Sequence, residues 1–238
     1  MDMIYGELFT SAAEKHSEHH FELQNSKMLK VLVGDQPVMA RQGSMVAYQG
    51  RIGFENPGSG GLGKMFKQAA TGEGVPLMRC SGQGELFLAD QAAEIQVLYL
   101  ENDQVSVNGS NVLAFSAGIE WDIHRLGGRS ALAAGDLFNV ALRGTGFVAI
   151  TTKGYPVALD VGSAPTFADA QSVVLWTAGV QMDIRTDTGG LRSLVRGGSG
   201  ETFQMAFSGQ GAVIVQPYEN RPASSGDSGG GGLSDFFG

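Results

Sequence analysis

The chain has almost no cysteine, little histidine and few basic residues. Its 238 residues include one cysteine and four histidines, and 16 lysines and arginines stand against 24 aspartates and glutamates. A single cysteine excludes an internal disulfide and fits a reducing compartment. The net charge of −8 opposes nucleic-acid binding, because phosphate backbones bind to basic faces. We therefore expect no nucleic acid among the partners.

Long apolar runs are also missing. No stretch approaches the roughly 18 apolar residues of a membrane-spanning helix. Residues 1–14 lack the basic patch and apolar segment that mark a signal peptide. Hydrophobic residues nevertheless make up 42% of the chain, which is enough for a packed core. These patterns predict a folded cytoplasmic protein, in which any membrane association is peripheral.

What the chain does contain is glycine in a repeating pattern. Glycine supplies 36 residues, about twice the usual share near 7%. Gly82, Gly144 and Gly209 open three similar segments, so the steps are 62 and 65 residues. Three further motifs recur at similar steps: Ala47-Tyr48 with Ala114-Phe115, Val112–Gly118 with Val173–Gly179, and Gly72-Glu73 with Gly135-Asp136 and Gly200-Glu201. A period that recurs three times predicts three structural units, at about 27–90, 91–155 and 156–218.

Each unit has the alternation of β structure. Apolar side chains at Phe138, Val140 and Leu142, and again at Met205 and Phe207, alternate with smaller or polar ones. Many short strands separated by glycine turns are typical of a sandwich or barrel. We predict one all-β domain over residues 1–220, in which three units close about a pseudo-threefold axis. A flexible Gly/Ser-rich tail over 221–238 follows.

No residue pattern typical of catalysis is present, and we expect neither an enzyme nor a cofactor. A G-x-S-x-G nucleophile elbow is absent, and so are the strand histidines of a cupin-like metal enzyme. Cys80 stands where the other units have the apolar Leu142 and Phe207, which predicts a small core residue and not a nucleophile. Asp122 and Asp183 recur at equivalent places and are therefore interpreted as structural.

Pairs of cations recur in the loops that precede the Gly-acid motifs. If the three units surround one axis, these loops emerge at the same end and form a cationic surface on an acidic protein. Ordinary solvated loops are the alternative. A second candidate contact is the end of the tail, where two phenylalanines follow the linker. The predicted contact residues are Lys64, Lys67, Arg125, Arg129, Arg192, Arg196, Phe236 and Phe237.

The first cationic loop is close to a phosphate-binding loop. Residues 58–64, from Gly58 to Lys64, fit G-x-x-x-x-G-K. The next residue is Met65, where a nucleotide site needs a serine or threonine for Mg²⁺. The flanking pattern is also antiparallel β and not alternating strand and helix. We interpret the segment as a glycine loop that leads into a short helix near residues 62–70.

The histidines His16, His19 and His20 lie close together among glutamates, before the repeats. Such a group could coordinate Zn²⁺ or Ni²⁺. No further cysteine or histidine lies near it in the sequence, so a surface cluster without a metal is the preferred interpretation. Whether this cluster binds metal stays open.

Several segments of the chain together resemble those of a known family. The chain resembles bacterial relatives of altered inheritance of mitochondria protein 24, whose fold is like that of the tryptophan RNA-binding attenuation protein. The resemblance rests on Ala40–Gly50, Gly60–Gly74 and Val112–Gly118, and on Gly200-Glu201 with Phe207–Gly211. It implies three attenuator-like β modules of the double-stranded β-helix type, which form a trimer within one chain. It also implies an association with the organisation of membranes, and it supplies no catalytic residues.

The sequence thus predicts a non-enzymatic intracellular scaffold or adaptor. The partner is an unknown protein or an anionic membrane surface, contacted at the inner face through the basic loops. Two alternatives stay open: a module that binds a small ligand on the axis or between units, and a structural protein that self-assembles through open sheet edges. A homo-oligomer belongs to the second alternative.

Overall fold

The computed structural model describes residues 6–16, 18–55, 75–125, 138–186 and 203–218. Nearly all of the regular secondary structure in these ranges is β-strand, so the prediction of an all-β fold is confirmed. One α-helix occurs in the described part of the chain, α1 (Leu8–Ser11), and it has four residues. Within the same ranges no helix has the length and apolarity that crossing a membrane requires.

The described residues form fifteen strands. The first five are β1 (Phe21–Asn25), β2 (Met28–Val33), β3 (Val38–Arg41), β4 (Met45–Glu55) and β5 (Leu77–Leu88). The next four are β6 (Glu94–Asn108), β7 (Val112–Ser116), β8 (Glu120–Arg125) and β9 (Phe138–Thr152). The last six are β10 (Val157–Asp160), β11 (Thr166–Asp169), β12 (Val173–Thr177), β13 (Val180–Thr186), β14 (Phe203–Gly209) and β15 (Ala212–Val215). A 3₁₀ turn (Gly109–Asn111) precedes β7.

The same antiparallel pairing of three strands occurs three times. In each set a central strand pairs on one side with a leading strand and on the other with a flanking strand. The central strands are β5, β9 and the β14–β15 pair. The leading strands are β2–β3, β6 and β10–β11, and the flanking strands are β4, β7–β8 and β12–β13. Closure of the three sets about an axis stays a prediction.

The glycine pair of each central strand has a conformation that other residues rarely adopt. The φ angles are 123° and 157° at Gly82 and Gly84, and 128° and 153° at Gly144 and Gly146. A Cβ at Gly84 would also collide with the carbonyl oxygen of Gln49 on the neighbouring strand β4. The repeat of glycine therefore reflects a backbone requirement at these φ angles, and at Gly84 a side chain would also separate the central strand from its flanking strand.

Neighbouring sets are joined by strand pairing. Strand β3 of the first set pairs antiparallel with β7 of the second, and β6 of the second pairs with β12 of the third. These junctions help to build a 12-stranded sheet, while β11, β14 and β13 form a separate 3-stranded sheet. Each junction joins the leading strand of one set to the flanking strand of the next.

The core consists of three clusters of buried apolar side chains. Val140, Leu142, Met205 and Phe207 are all buried, as the alternation along their strands predicts. Cys80 is fully buried among them, which confirms its interpretation as a core residue. Each large apolar side chain removed from water in this way contributes on the order of 2 kcal/mol.

Candidate functional site

The predicted cationic contact surface lies almost entirely outside the described residues. This applies to Lys64, Lys67, Arg129, Arg192 and Arg196. Arg125 is the last residue of β8, and its side chain is outside the description. The loop 58–64, the helix near 62–70 and the tail with Phe236 and Phe237 also lie outside it. The cationic surface and the tail contact therefore stay predictions.

The two recurring aspartates do lie in described strands. Asp122 and Asp183 are both exposed, and each pairs with an alanine of its central strand. The Asp122 side chain accepts a hydrogen bond from the Ile123 backbone N–H. The Nε2 of the exposed His124 lies 3.6 Å from the same carboxylate.

The three neighbouring histidines do not converge on one point. His16 is exposed and lies 3.7 Å from Glu14. His20 is half-buried against the rings of Phe21 and Phe147. Burial lowers the pKa of His20, because a low-dielectric environment disfavours the imidazolium. The cluster thus divides into two exposed imidazoles, at His16 and His19, and one packed imidazole, at His20.

A different acidic group forms around a buried lysine. Lys30 of β2 has no exposed surface, and its ammonium lies 3.0 Å from Glu14, 3.4 Å from Glu85 and 3.8 Å from Glu22. It also donates a hydrogen bond to the Lys15 carbonyl at 2.6 Å. Two elements meet here, because Glu14 and Lys15 belong to the segment before β1, while the other groups stand on the sheet. Lys30 therefore fastens this segment to the sheet.

The charges around Lys30 decide its protonation. Burial by itself would lower the pKa of Lys30, but the hydrogen bonds and charges of Glu14 and Glu85 outweigh it and raise the pKa. The hydrogen bond from Lys30 likewise lowers the pKa of Glu14. Ligand atoms of Glu14, His16 and Glu85 all lie within 4.8 Å of one another, as a metal site would need. The Lys30 ammonium already supplies the positive charge at these carboxylates, so the arrangement is complete without an ion.

A polar cavity of about 510 Å³ lies near the junction of the first two sets. Its wall is formed by the β1–β2 turn, the β5–β6 turn, the end of β3, the 3₁₀ turn before β7 and the end of β9. Arg41 is its central cation and donates to Asp90 at 2.8 Å and to the Gly109 carbonyl at 3.2 Å. Burial lowers the pKa of Arg41, and the Asp90 charge acts in the opposite direction. The lining residues are Lys27, Arg41, Asp90–Glu94, Ser110, Asn111 and Thr151–Gly154.

Two polar atoms of this wall have no hydrogen-bond partner among the described residues. They are the Nε of Arg41 and the Oγ1 of Thr152, a residue that is only 1% exposed. The turn beside them is strained, because Gln91 and Ala92 have φ angles of 46° and 57° without being glycine. Buried polar groups usually have partners. Unmet donors on a preformed polar cavity are therefore a reason to consider a ligand there.

Strand β4 exposes several large apolar side chains. Its side chains include Met45, Val46, Tyr48 and Phe54, which are 39%, 55%, 48% and 37% exposed. Tyr48 and Phe54 contact each other edge to face at 5.4 Å. The strand pairs with β5 on one side, and no described strand pairs with its other side. Edge strands with exposed apolar side chains are templates for pairing with another chain.

Sequence reasoning missed both the cavity and the β4 surface. The ends of β3, β5 and β9 meet at the cavity only through strand pairing between sets, so no local motif marks it. The β4 surface did carry a signal, because Ala47-Tyr48 matches Ala114-Phe115 in the repeat. That match predicts a strand but gives no information about its neighbours.

The fold and these surfaces define an all-β protein of antiparallel sheets, with a polar cavity and an edge strand, β4, whose apolar side chains are exposed. A family model described as mitochondrial biogenesis AIM24 matches residues 21–218. The chain belongs to this family, which confirms the resemblance drawn from the sequence. The description names a biological process and not a molecular activity.

A solved structure has the same fold. It is the X-ray crystal structure of a protein from Streptococcus pyogenes, with a TM-score of 0.67 and 21% sequence identity. The similarity covers 84% of this chain and 92% of the bacterial one. At this identity the likeness establishes the fold alone. No curated protein sequence matches the chain.

Proposed function

We propose that this protein is a non-enzymatic intracellular scaffold or adaptor that binds another polypeptide along strand β4. The observation that carries the proposal is the exposure of β4, whose apolar side chains stand on an unpaired strand edge. An added strand would satisfy the open backbone groups and cover Val46 and Tyr48 at the same time. Membership of a family associated with mitochondrial biogenesis is compatible with this role.

The three recurrent strand sets support an arrangement about a pseudo-threefold axis. In such a body the three cationic loops emerge at one end, and an anionic membrane surface is then a second contact. Vesicles of anionic or neutral lipid, sedimented with the protein across a salt series, test this part. We expect salt-sensitive binding to the anionic vesicles. A variant with Lys64, Lys67, Arg125, Arg129, Arg192 and Arg196 all changed to Gln should lose it, and no binding by the wild type would exclude the membrane contact.

The β4 proposal is tested by site-specific photo-crosslinking in the cells that produce the protein. A photoreactive phenylalanine analogue replaces Tyr48 in one version and Tyr155, which is 80% exposed, in the control. We expect a covalent adduct with a second polypeptide from position 48 and none from position 155. Absence of any adduct from position 48 would contradict a partner on β4.

The cavity supports a second candidate, a module that binds a small anion. Lys27, Arg41 and Lys153 supply three cations against the carboxylates of Asp90 and Glu94. A phosphate or carboxylate group would accept hydrogen bonds from the Arg41 Nε and the Thr152 hydroxyl, which have no described partner.

Thr152→Val tests this candidate, because valine keeps the shape of threonine and removes the hydroxyl. Inorganic phosphate, sulfate and citrate are the probes, and the shift in Tm is the measurement. We expect the probe-induced shift to fall in the variant, while the unliganded variant is more stable by about 1 kcal/mol, since an unpaired buried hydroxyl is removed. No shift in the wild type with any probe would contradict the anion site.

A further inference from the structure

Several strands in the described part of the chain have a strand partner on one side only: β1, β8, β10 and β13, and also β4 and β11. Strand β4 pairs only with β5, and β11 ends the 3-stranded sheet, where it pairs only with β14. Strand β4 is the flanking strand of the first set, and β11 belongs to the leading strand of the third set. These are the two kinds of strand that join neighbouring sets elsewhere in the molecule.

The two junctions within the chain have the same register. In the first, Met39 of β3 lies opposite Phe115 of β7, and Ala40 lies opposite Ala114. In the second, Ser106 of β6 lies opposite Trp176 of β12, and Val107 lies opposite Leu175. Both are antiparallel, and in both an aromatic residue of the flanking strand occupies the middle of the pairing.

Pairing with the central strands shows which residue of β4 corresponds to these aromatics. Phe115 lies opposite Val148, and Trp176 lies opposite Val213, each four residues beyond the first glycine of its central strand. Tyr48 lies opposite Leu86, which is likewise four residues beyond Gly82. Tyr48 is therefore the aromatic of the first flanking strand, and Ala47 corresponds to Ala114 and Leu175.

The same comparison identifies the matching residue on β11. Ala40 lies opposite Met78 and Val107 lies opposite Val140, each four residues before the first glycine of the central strand. Ala168 lies opposite Met205, which is four residues before Gly209. Ala168 is therefore the equivalent of the junction residues Ala40 and Val107.

We propose that β11 of one copy pairs antiparallel with β4 of a second copy, with Ala168 opposite Ala47. The inference rests on the proposed function of β4 and specifies its partner. This contact repeats, between chains, the register that the chain already uses twice. It joins unlike surfaces, so successive copies assemble head to tail into a ring or a filament. This assembly is an alternative to closure of the three sets of one chain about the pseudo-threefold axis.

The exposures favour a partner for this edge. Phe115 is 0% exposed and Trp176 is 8% exposed, but Tyr48 is 48% exposed, although all three hold equivalent positions. Residues 45–50 of β4 contain no charged residue and no proline, the usual protection of an exposed edge. A second copy is chosen because its β11 carries the complementary edge in the required register, while β4 and β11 of one chain are not paired with each other in the described structure.

Mixing two single-cysteine variants of the full chain tests the register directly. One variant is Ala47→Cys and the other is Ala168→Cys, and both are mixed under mild oxidation. Opposed residues of antiparallel strands bring their Cβ atoms within disulfide range. The native Cys80 interferes little, because it is buried and burial raises its pKa to about 11. We expect a covalent dimer in the mixture and none from either variant alone.

Ala47→Cys mixed with Asp169→Cys is the matched control. Ala168 and Asp169 are neighbours on a strand that pairs without a bulge, so they point to opposite faces, and this pair should form at most a small fraction of the dimer. A third sample is the double variant Ala47→Cys/Ala168→Cys. If this chain forms a disulfide within itself while the mixture of single variants forms no dimer, the proposal is overturned in favour of closure within one chain. No disulfide in any combination would overturn it as well.

An independent measurement covers the case in which a cysteine variant folds poorly. Sedimentation velocity across a concentration series compares the wild type with Tyr48→Glu and with the exposed control Tyr155→Glu. We expect larger species in the wild type and the control and a monomer in Tyr48→Glu. A monomeric wild type at all concentrations would contradict the proposal.

Failure here can be separated from failure of the scaffold proposal. If photo-crosslinking from position 48 traps a different protein while the mixed variants form no disulfide, the scaffold stands and self-pairing falls. If position 48 traps nothing and the mixture forms no disulfide, both fall. An adduct of twice the 25.0 kDa chain mass agrees with both.

Discussion

Strands β4 and β7 hold equivalent places in two sets and have opposite environments. Every residue of β7 is buried, whereas every residue of β4 is exposed except the half-buried Ile52. Strand β7 lies between β9 and β3, while β4 has only β5 beside it among the described strands. The comparison teaches that the repeat specifies a strand and its central partner. Burial then depends on the next set along the sheet.

The largest expected effect comes from truncating the aromatic of each strand. Phe115→Ala should lower the free energy of unfolding by about 3–5 kcal/mol, because it leaves a cavity in a closed core. Tyr48→Ala should cost about 1 kcal/mol or less, mainly the edge contact with Phe54. Urea unfolding at a concentration where the protein is monomeric measures both. Equal losses would mean that β4 is packed as β7 is.

A second difference between the sets is a residue of the leading strand. The position compared lies opposite the central-strand residue that follows the first glycine by five places. Lys30 lies opposite Phe87 in the first set, and Val97 lies opposite Ala149 in the second. Lys30→Met should cost about 2–3 kcal/mol, since it leaves the partly buried Glu14, Glu22 and Glu85 without their cation. The control is Lys27→Met, whose ion pair with Glu94 is half-exposed. It should cost less than about 1 kcal/mol. Equal losses in urea unfolding would contradict a special role for Lys30.

Glycine substitutions test how closely β4 approaches its central strand. Gly84→Ala should cost about 1–3 kcal/mol, because the φ of 157° and the Gln49 carbonyl both oppose a side chain. In Gly53→Ala the nearest atom, the Ser81 carbonyl oxygen, is 3.9 Å from the added Cβ, so this control should change stability little. Thermal unfolding compares the two. A neutral Gly84→Ala would show that β4 can move away from β5.

The smallest expected effect is a pH dependence of the Lys30 group. The pKa of Glu14 is lowered in the folded protein, so its contribution is fully present above the unfolded value near 4.3 and is lost as pH falls through the folded value. The pKa of Lys30 is raised, so its contribution holds below about 10.4 and is lost as pH rises through the folded value. The difference in stability between wild type and Lys30→Met should therefore be constant between about pH 5 and 10. A difference that persists unchanged at pH 3 would contradict the ion pair.

Much of the fold was predictable from particular residues. The alternation at Val140, Leu142, Met205 and Phe207 predicted strands with one buried face, and all four side chains are buried. The position of Cys80 in the repeat predicted its burial. The Arg41 cavity and the Lys30 group were not predictable, because their members lie far apart in the sequence. Arg41 and Asp90 meet only through the pairing of β3 with β5 and the turn that follows β5.

The sequence by itself determined the all-β class, the family, the three glycine pairs and the aromatic position of each flanking strand. These features depend on local requirements: the period of a strand, the backbone freedom of glycine and the apolar side chain that a strand face buries. Only the tertiary structure decided which aromatic is buried and which is exposed. Tyr48 and Phe115 occupy the same local position, and the difference between them comes from whether another leading strand lies alongside.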